Sequence, residues 1–144
     1  MTTVIYRNKP DTIFTKIFIM IAFIIVNVIF CLSFLVFAYL NFNDIDWYLW
    51  VPIYVAVAAC CGLACFGMYY PNVYLGLTAF YLIYAIKLFF AKDGVRDWIV
   101  KYRTPSLVET MQAEKPFIEM TREFFGLLII SAALIIDYLV VINL

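Results

Sequence analysis

Asn41-Phe42-Asn43-Asp44-Ile45-Asp46-Trp47-Tyr48-Leu49-Trp50 is a short acidic stretch between two long apolar runs. Asn and Asp side chains hydrogen-bond nearby backbone and tolerate unusual φ/ψ, so the stretch predicts a tight turn at which the chain doubles back. The aromatic residues after it are of the kind that settles at a membrane–water interface.

Upstream, Ile17 to Leu40 is almost unbroken Ile, Phe, Val and Leu. A helix over that run is about 36 Å long, enough to cross a hydrocarbon core of about 30 Å with some tilt. The run is too long for the apolar part of a cleavable signal and is read as a first crossing, over about 17–40. Composition agrees: 67% of residues are hydrophobic and 14% charged, against roughly 45–50% and about 25% in soluble domains. Net charge is zero, which gives no basic field for nucleic acid. No histidine occurs, so the usual proton-transfer group and commonest metal ligand is missing. An enzyme is not expected, and no cofactor is implied.

Downstream, a second crossing covers about 49–69, with Trp47, Tyr48 and Trp50 at one end and Tyr69 and Tyr70 at the other. Ala58, Gly62 and Cys65 form a small-residue face on it, expected to admit a neighbouring backbone, from a partner protein or a second copy. Cys31, Cys60, Cys61 and Cys65 all lie in apolar runs, where they read as packing residues and not as a disulfide framework or a soft-metal site. Pro71-Asn72 predicts a short turn. A third crossing follows over about 74–90, with Lys87 placed to snorkel to the interface. The connection over about 91–121 carries Val95, Trp98, Ile99 and Tyr102 at helical spacing, which suits a short amphipathic helix on the membrane surface ended by Thr104-Pro105. Ser106 and Glu109 form a capping-box pattern that predicts a second short helix to about Glu114. Pro116 fits the first position of a fourth long helix, whose crossing covers about 124–143. The expected fold is an all-α integral membrane protein, a four-transmembrane-helix bundle.

Four crossings put both chain ends on one side and the acidic turn with the long connection on the other. Arg7, Lys9 and Lys16 before the first helix against Asp44 and Asp46 after it favour cytoplasmic ends, although the long connection is also basic. Two polar features stand out. Within the crossings, Asn27 is expected to hydrogen-bond a neighbouring helix or its own, and Asp137 needs a partner, for which Lys16 is the candidate. At the far rim, Asn43, Asp44 and Asp46 face Glu114, Glu119, Arg122 and Glu123, with Glu119 and Glu123 on one helical face. Lys101 or Arg103 is expected to help neutralise them.

Asn43-Asp44-Ile45-Asp46, Trp50-Val51-Pro52-Ile53-Tyr54, Met111-Gln112-Ala113-Glu114-Lys115-Pro116 and Arg122-Glu123-Phe124-Phe125-Gly126-Leu127 together resemble the transmembrane protein 220 family. The family usually carries proline where this chain has Ile45. The resemblance implies a small four-helix integral membrane protein and brings no activity, substrate or cofactor. Size, the missing histidine and charges able to pair among themselves favour a non-catalytic accessory or structural subunit of a membrane complex. The alternative is a transporter or carrier that binds a cation or lipid headgroup at the acidic rim, where a hard ion such as Ca²⁺ or Mg²⁺ suits carboxylates. An intramembrane enzyme using paired carboxylates ranks last.

Overall fold

The computed structural model describes residues 10–108 and 115–144. It contains four long apolar helices, α1 (Pro10–Leu40), α2 (Trp47–Cys65), α3 (Pro71–Phe90) and α5 (Pro116–Asn143), and one short helix, α4 (Val95–Val100). Each long helix is of a length and apolarity that can cross a membrane.

The acidic turn is a 3₁₀ turn over Asn41–Asn43 followed by Asp44 in extended backbone. Asn41 Nδ2 donates to the Phe37 carbonyl at 2.7 Å, satisfying one of the carbonyls that a helix end leaves open. Asp46 stands at the N-cap of α2, yet its side chain makes no cap bond. Its Oδ2 instead accepts from Trp50 Nε1 at 2.9 Å. Trp50 is thereby fixed where its ring stacks on Tyr84 of α3, with centroids 5.7 Å apart.

α2 ends four residues earlier than the aromatic pair suggested. Gly67 has φ 76°, and the N–H groups of Gly67 and Met68 close on the carbonyls of Ala64 and Leu63. This is the two-bond stop that a glycine in left-handed backbone provides. Pro71 opens α3 instead of forming a turn before it, because its missing N–H would be unpaired at a first helical position anyway. Pro116 opens α5 in the same way.

α4 also stops early. Lys101 and Tyr102 both donate their backbone N–H to the Asp97 carbonyl, and Arg103 and Thr104 then take positive φ. The segment folds back onto α3 and α5. Val95 is buried, the Tyr102 ring lies flat on Phe117 at 3.8 Å, and a side chain at Gly94 would strike the Leu88 carbonyl. Residues 106–108 are not helical; the Ser106 hydroxyl accepts from the Val108 N–H at 3.2 Å. The remainder of the second short helix read from the capping box, with Glu109 and Glu114, lies outside the described residues.

The long helices associate most closely as two pairs, α1 with α2 and α3 with α5. The small-residue face of α2 is spent within the first pair: Gly62 sits against Cys31, Cys65 Sγ points to the Ile24 carbonyl at 3.8 Å, and Ala58 is buried in the core. It is therefore an internal seam, and the expectation of a docking face there is corrected. The pairs meet through larger groups. Tyr81 of α3 donates its hydroxyl to the Ile53 carbonyl of α2 at 3.0 Å, and the Tyr54 hydroxyl of α2 sits over Gly126 of α5. Lys16 and Ile19 of α1 share a groove with Leu139, Val140, Asn143 and Leu144, so the early part of α1 and the end of α5 lie at one end of the bundle.

A Cβ on Gly126 would come 2.7 Å from Tyr54 Oη, whereas the nearest ring carbon is 3.9 Å away. Gly126→Ala is expected to lower unfolding free energy by about 1–3 kcal/mol, the usual cost of overpacking. Adding Tyr54→Phe removes the obstructing oxygen and should restore most of it; denaturation of both variants in bicelles checks this.

Candidate functional site

Two polar assemblies lie on the seam between the helix pairs, one at each half of the bundle. The first is at the rim with the acidic turn. The turn delivers Asp44 and Asp46, and the first two turns of α5, which continue beyond the predicted crossing, deliver Glu119, Arg122 and Glu123. Asp44, Glu119, Arg122 and Glu123 line a cleft of about 230 Å³ together with Phe37, Leu40, Asn41, Trp50 and Tyr54. One carboxylate oxygen from each of Asp46, Glu119 and Glu123 lies within 4.8 Å of the other two. Asn43 stands beside them in the turn but is exposed.

Charge in this cleft is unbalanced. Among the described residues, the Arg122 guanidinium bears on Asp44 and Glu119, while Asp44, Asp46, Glu119 and Glu123 share the site. Lys101 does not join them as expected. It is fully exposed, lies over the Tyr102 ring at 5.1 Å and has Asp93 and Asp97 as its acidic neighbours. Burial, followed by the charge of Asp46, pushes the Asp44 carboxyl above the usual carboxylate range, and Arg122 offsets part of this. Asp44 Oδ1 is buried without a hydrogen-bond partner. A cleft with these properties has oxygen ligands to offer and a deficit of positive charge.

The second assembly is inside the membrane-spanning part. Asp137 and Asn27 are both fully buried, and Asn27 Nδ2 donates to Asp137 Oδ1 at 3.0 Å and to the Phe23 carbonyl at 3.1 Å. Cys61 Sγ points to Asp137 Oδ2 at 3.8 Å. Asn27 thus makes both of the bonds its two readings allowed, to a neighbouring helix and to its own. Lys16 is not the partner of Asp137; it lies in the end groove with the last residues of α5. Helix-end position, not sequence distance, separates them, since Asp137 faces inward and Lys16 is exposed. Lys87 is likewise exposed in the last turn of α3, as a snorkelling lysine would be. Tyr74 and Cys61 join this assembly without having been singled out as site residues. Their signal is weak, because a tyrosine and a thiol in an apolar run read equally well as packing.

Removing one negative charge from the rim relieves repulsion, and removing the guanidinium increases it. Burial, followed by the charge of Asp46, pushes the Glu123 carboxyl up to about 8, so in metal-free buffer above that pH Glu123→Gln is expected to raise thermal stability and Arg122→Gln to lower it, each on the order of 1 kcal/mol. The sign with pH follows from Asp44. A carboxyl raised on folding binds its proton more tightly in the folded state, so its contribution to stability is full at low pH and is lost as pH rises through the raised value. Thermal unfolding across the acidic range should show this contribution removed by Asp44→Asn.

No match is found among the curated proteins or among the solved structures. The family described as transmembrane family 220, helix, matches residues 33–139, which takes in the C-terminal end of α1 from Ser33, all of α2 to α4 and α5 through Leu139. That match spans more than half of the chain, and this multi-pass integral membrane protein belongs to the transmembrane 220 family.

Proposed function

We propose that the chain is a small non-enzymatic membrane protein that binds a divalent cation, of the Ca²⁺ class, in the rim cleft between the acidic turn and the start of α5. The observation that carries this reading is the convergence of Asp46, Glu119 and Glu123 to within 4.8 Å. Ca²⁺ takes oxygen ligands at about 2.3–2.6 Å, so oxygens on opposite sides of it stand up to about 5 Å apart. Mg²⁺, at about 2.0–2.1 Å, asks for a tighter set. The unpartnered Asp44 Oδ1 and the aromatic wall of Trp50 and Tyr54 support the same reading.

The accessory-subunit reading loses one of its supports, because the α2 face it relied on packs against α1. A cation would serve a structural end that fits the architecture. Asp46 leads into α2 and the glutamates belong to α5, so one ion would tie the two helix pairs together at the rim. With the chain ends cytoplasmic, as the basic residues before α1 favour, the cleft faces the outside or an organelle lumen, where weak calcium sites operate at about 10⁻⁴–10⁻³ M.

Terbium luminescence sensitised by the neighbouring Trp50 tests this directly in purified protein. Tb³⁺ should give a saturable signal that Ca²⁺ displaces and Mg²⁺ displaces less well, and Asp46→Asn with Glu123→Gln should lose it at least tenfold in affinity. An unsaturable signal, or one unchanged in the double variant, would reject the site.

A further inference from the structure

Asp137 is the one carboxyl that the structure places wholly inside the bundle among the described residues, and every group it meets there is uncharged. From α1 comes the Asn27 amide. From α2 comes the Cys61 thiol at 3.8 Å, with the Cys60 and Cys65 thiols within reach of its field. From α3 comes the Tyr74 hydroxyl, also within that field. Lys16, the basic residue nearest this end of the described chain, lies in the end groove.

An ionised carboxylate held by one amide and one weak thiol donor in hydrocarbon is short of compensation. The same neighbourhood holds two further unsatisfied groups. Asn27 Oδ1 and the Tyr74 hydroxyl are both buried with no hydrogen-bond partner, although Asn27 is 0% exposed and Tyr74 is 1% exposed. Two of these groups lack the same thing, a hydrogen or a positive charge: the Asp137 carboxylate and the Asn27 Oδ1 acceptor. One proton corrects both. On Asp137 it removes the charge and supplies an O–H donor for an acceptor such as Asn27 Oδ1, while the Tyr74 hydroxyl remains able to donate.

We propose that Asp137 and Asn27 form an intramembrane proton-binding site, at which Asp137 carries a proton while the α1–α2 pair is packed on the α3–α5 pair. The step is proton transfer alone: the carboxylate accepts H⁺ from water and returns it to water. This site is separate from the rim cleft and uses none of its residues.

Infrared spectroscopy of the protein in nanodiscs, in sodium-free buffer at neutral pH, reads the proposal. The wild type should show a protonated-carboxyl C=O band that shifts down in D₂O and is lost in Asp137→Asn, with Glu123→Gln as the background for rim acids. Asn27→Leu provides a second readout should Asp137→Asn fold poorly. The band should persist but move to higher wavenumber, since the acid has lost its amide partner. A neutral-pH spectrum with no band assignable to Asp137 would overturn the proposal. So would a band that disappears on adding Na⁺ at constant pH, which would make the ligand a metal cation.

Discussion

A carboxyl group buried in hydrocarbon has to be answered by something, and in this protein the answer is an amide 110 positions away in the chain. The Asn27–Asp137 contact ties one helix pair to the other. Within each pair, apolar side chains and small residues pack along long antiparallel faces. Between the pairs, all four long helices contribute to one buried apolar core, to which a few polar and aromatic joints are added: Asn27 with Asp137, Tyr81 with the Ile53 carbonyl, and Trp50 against Tyr84. Lipid tails are as apolar as Leu, so greasy faces alone give helices little reason to choose one another in a membrane, whereas an unsatisfied polar group gives them a strong one.

The same seam carries opposite problems at its two ends. At the rim, carboxylates from the turn and from α5 crowd together beside the Arg122 guanidinium, in a cleft that opens to water. In the interior, a lone carboxyl faces neutral groups in a place that water does not freely enter. A multivalent cation suits the first setting, because several oxygens can share it. A proton suits the second, because it cancels one charge without bringing a hydration shell into the bilayer. Each proposal adds a small positively charged species to the hold between the helix pairs.

How much of this the sequence discloses depends on the range of each interaction. Hydropathy and length suffice for four crossings, and the short-range chemistry of Asn41, Asp44 and Pro116 places the turn and the start of α5. The rim acids are legible too, since an even number of crossings must bring the acidic turn and the α5 entrance to one face. Less legible are features whose partner is distant or interchangeable. Gly67 ends α2 through two backbone bonds, while the tyrosines beyond it argue as well for continuing. Ala58, Gly62 and Cys65 announce a close helix neighbour without saying that it is α1 of the same chain. Asp137 calls for a partner, and charge alone nominates Lys16; only the rotation of α5 in the bundle turns the side chain to Asn27 and Cys61.

The central claim is that the buried amide and carboxyl act as a unit joining the two pairs, and a double-mutant cycle measures it most directly. Asn27→Leu and Asp137→Leu each strand a buried polar partner, whose cost is about 1–3 kcal/mol, and the double variant strands neither. In bicelle unfolding measurements the double variant should therefore be more stable than the sum of the single losses, by a coupling on the order of 1 kcal/mol. Losses that simply add would mean that the two residues do not depend on each other, and that something else holds the pairs together.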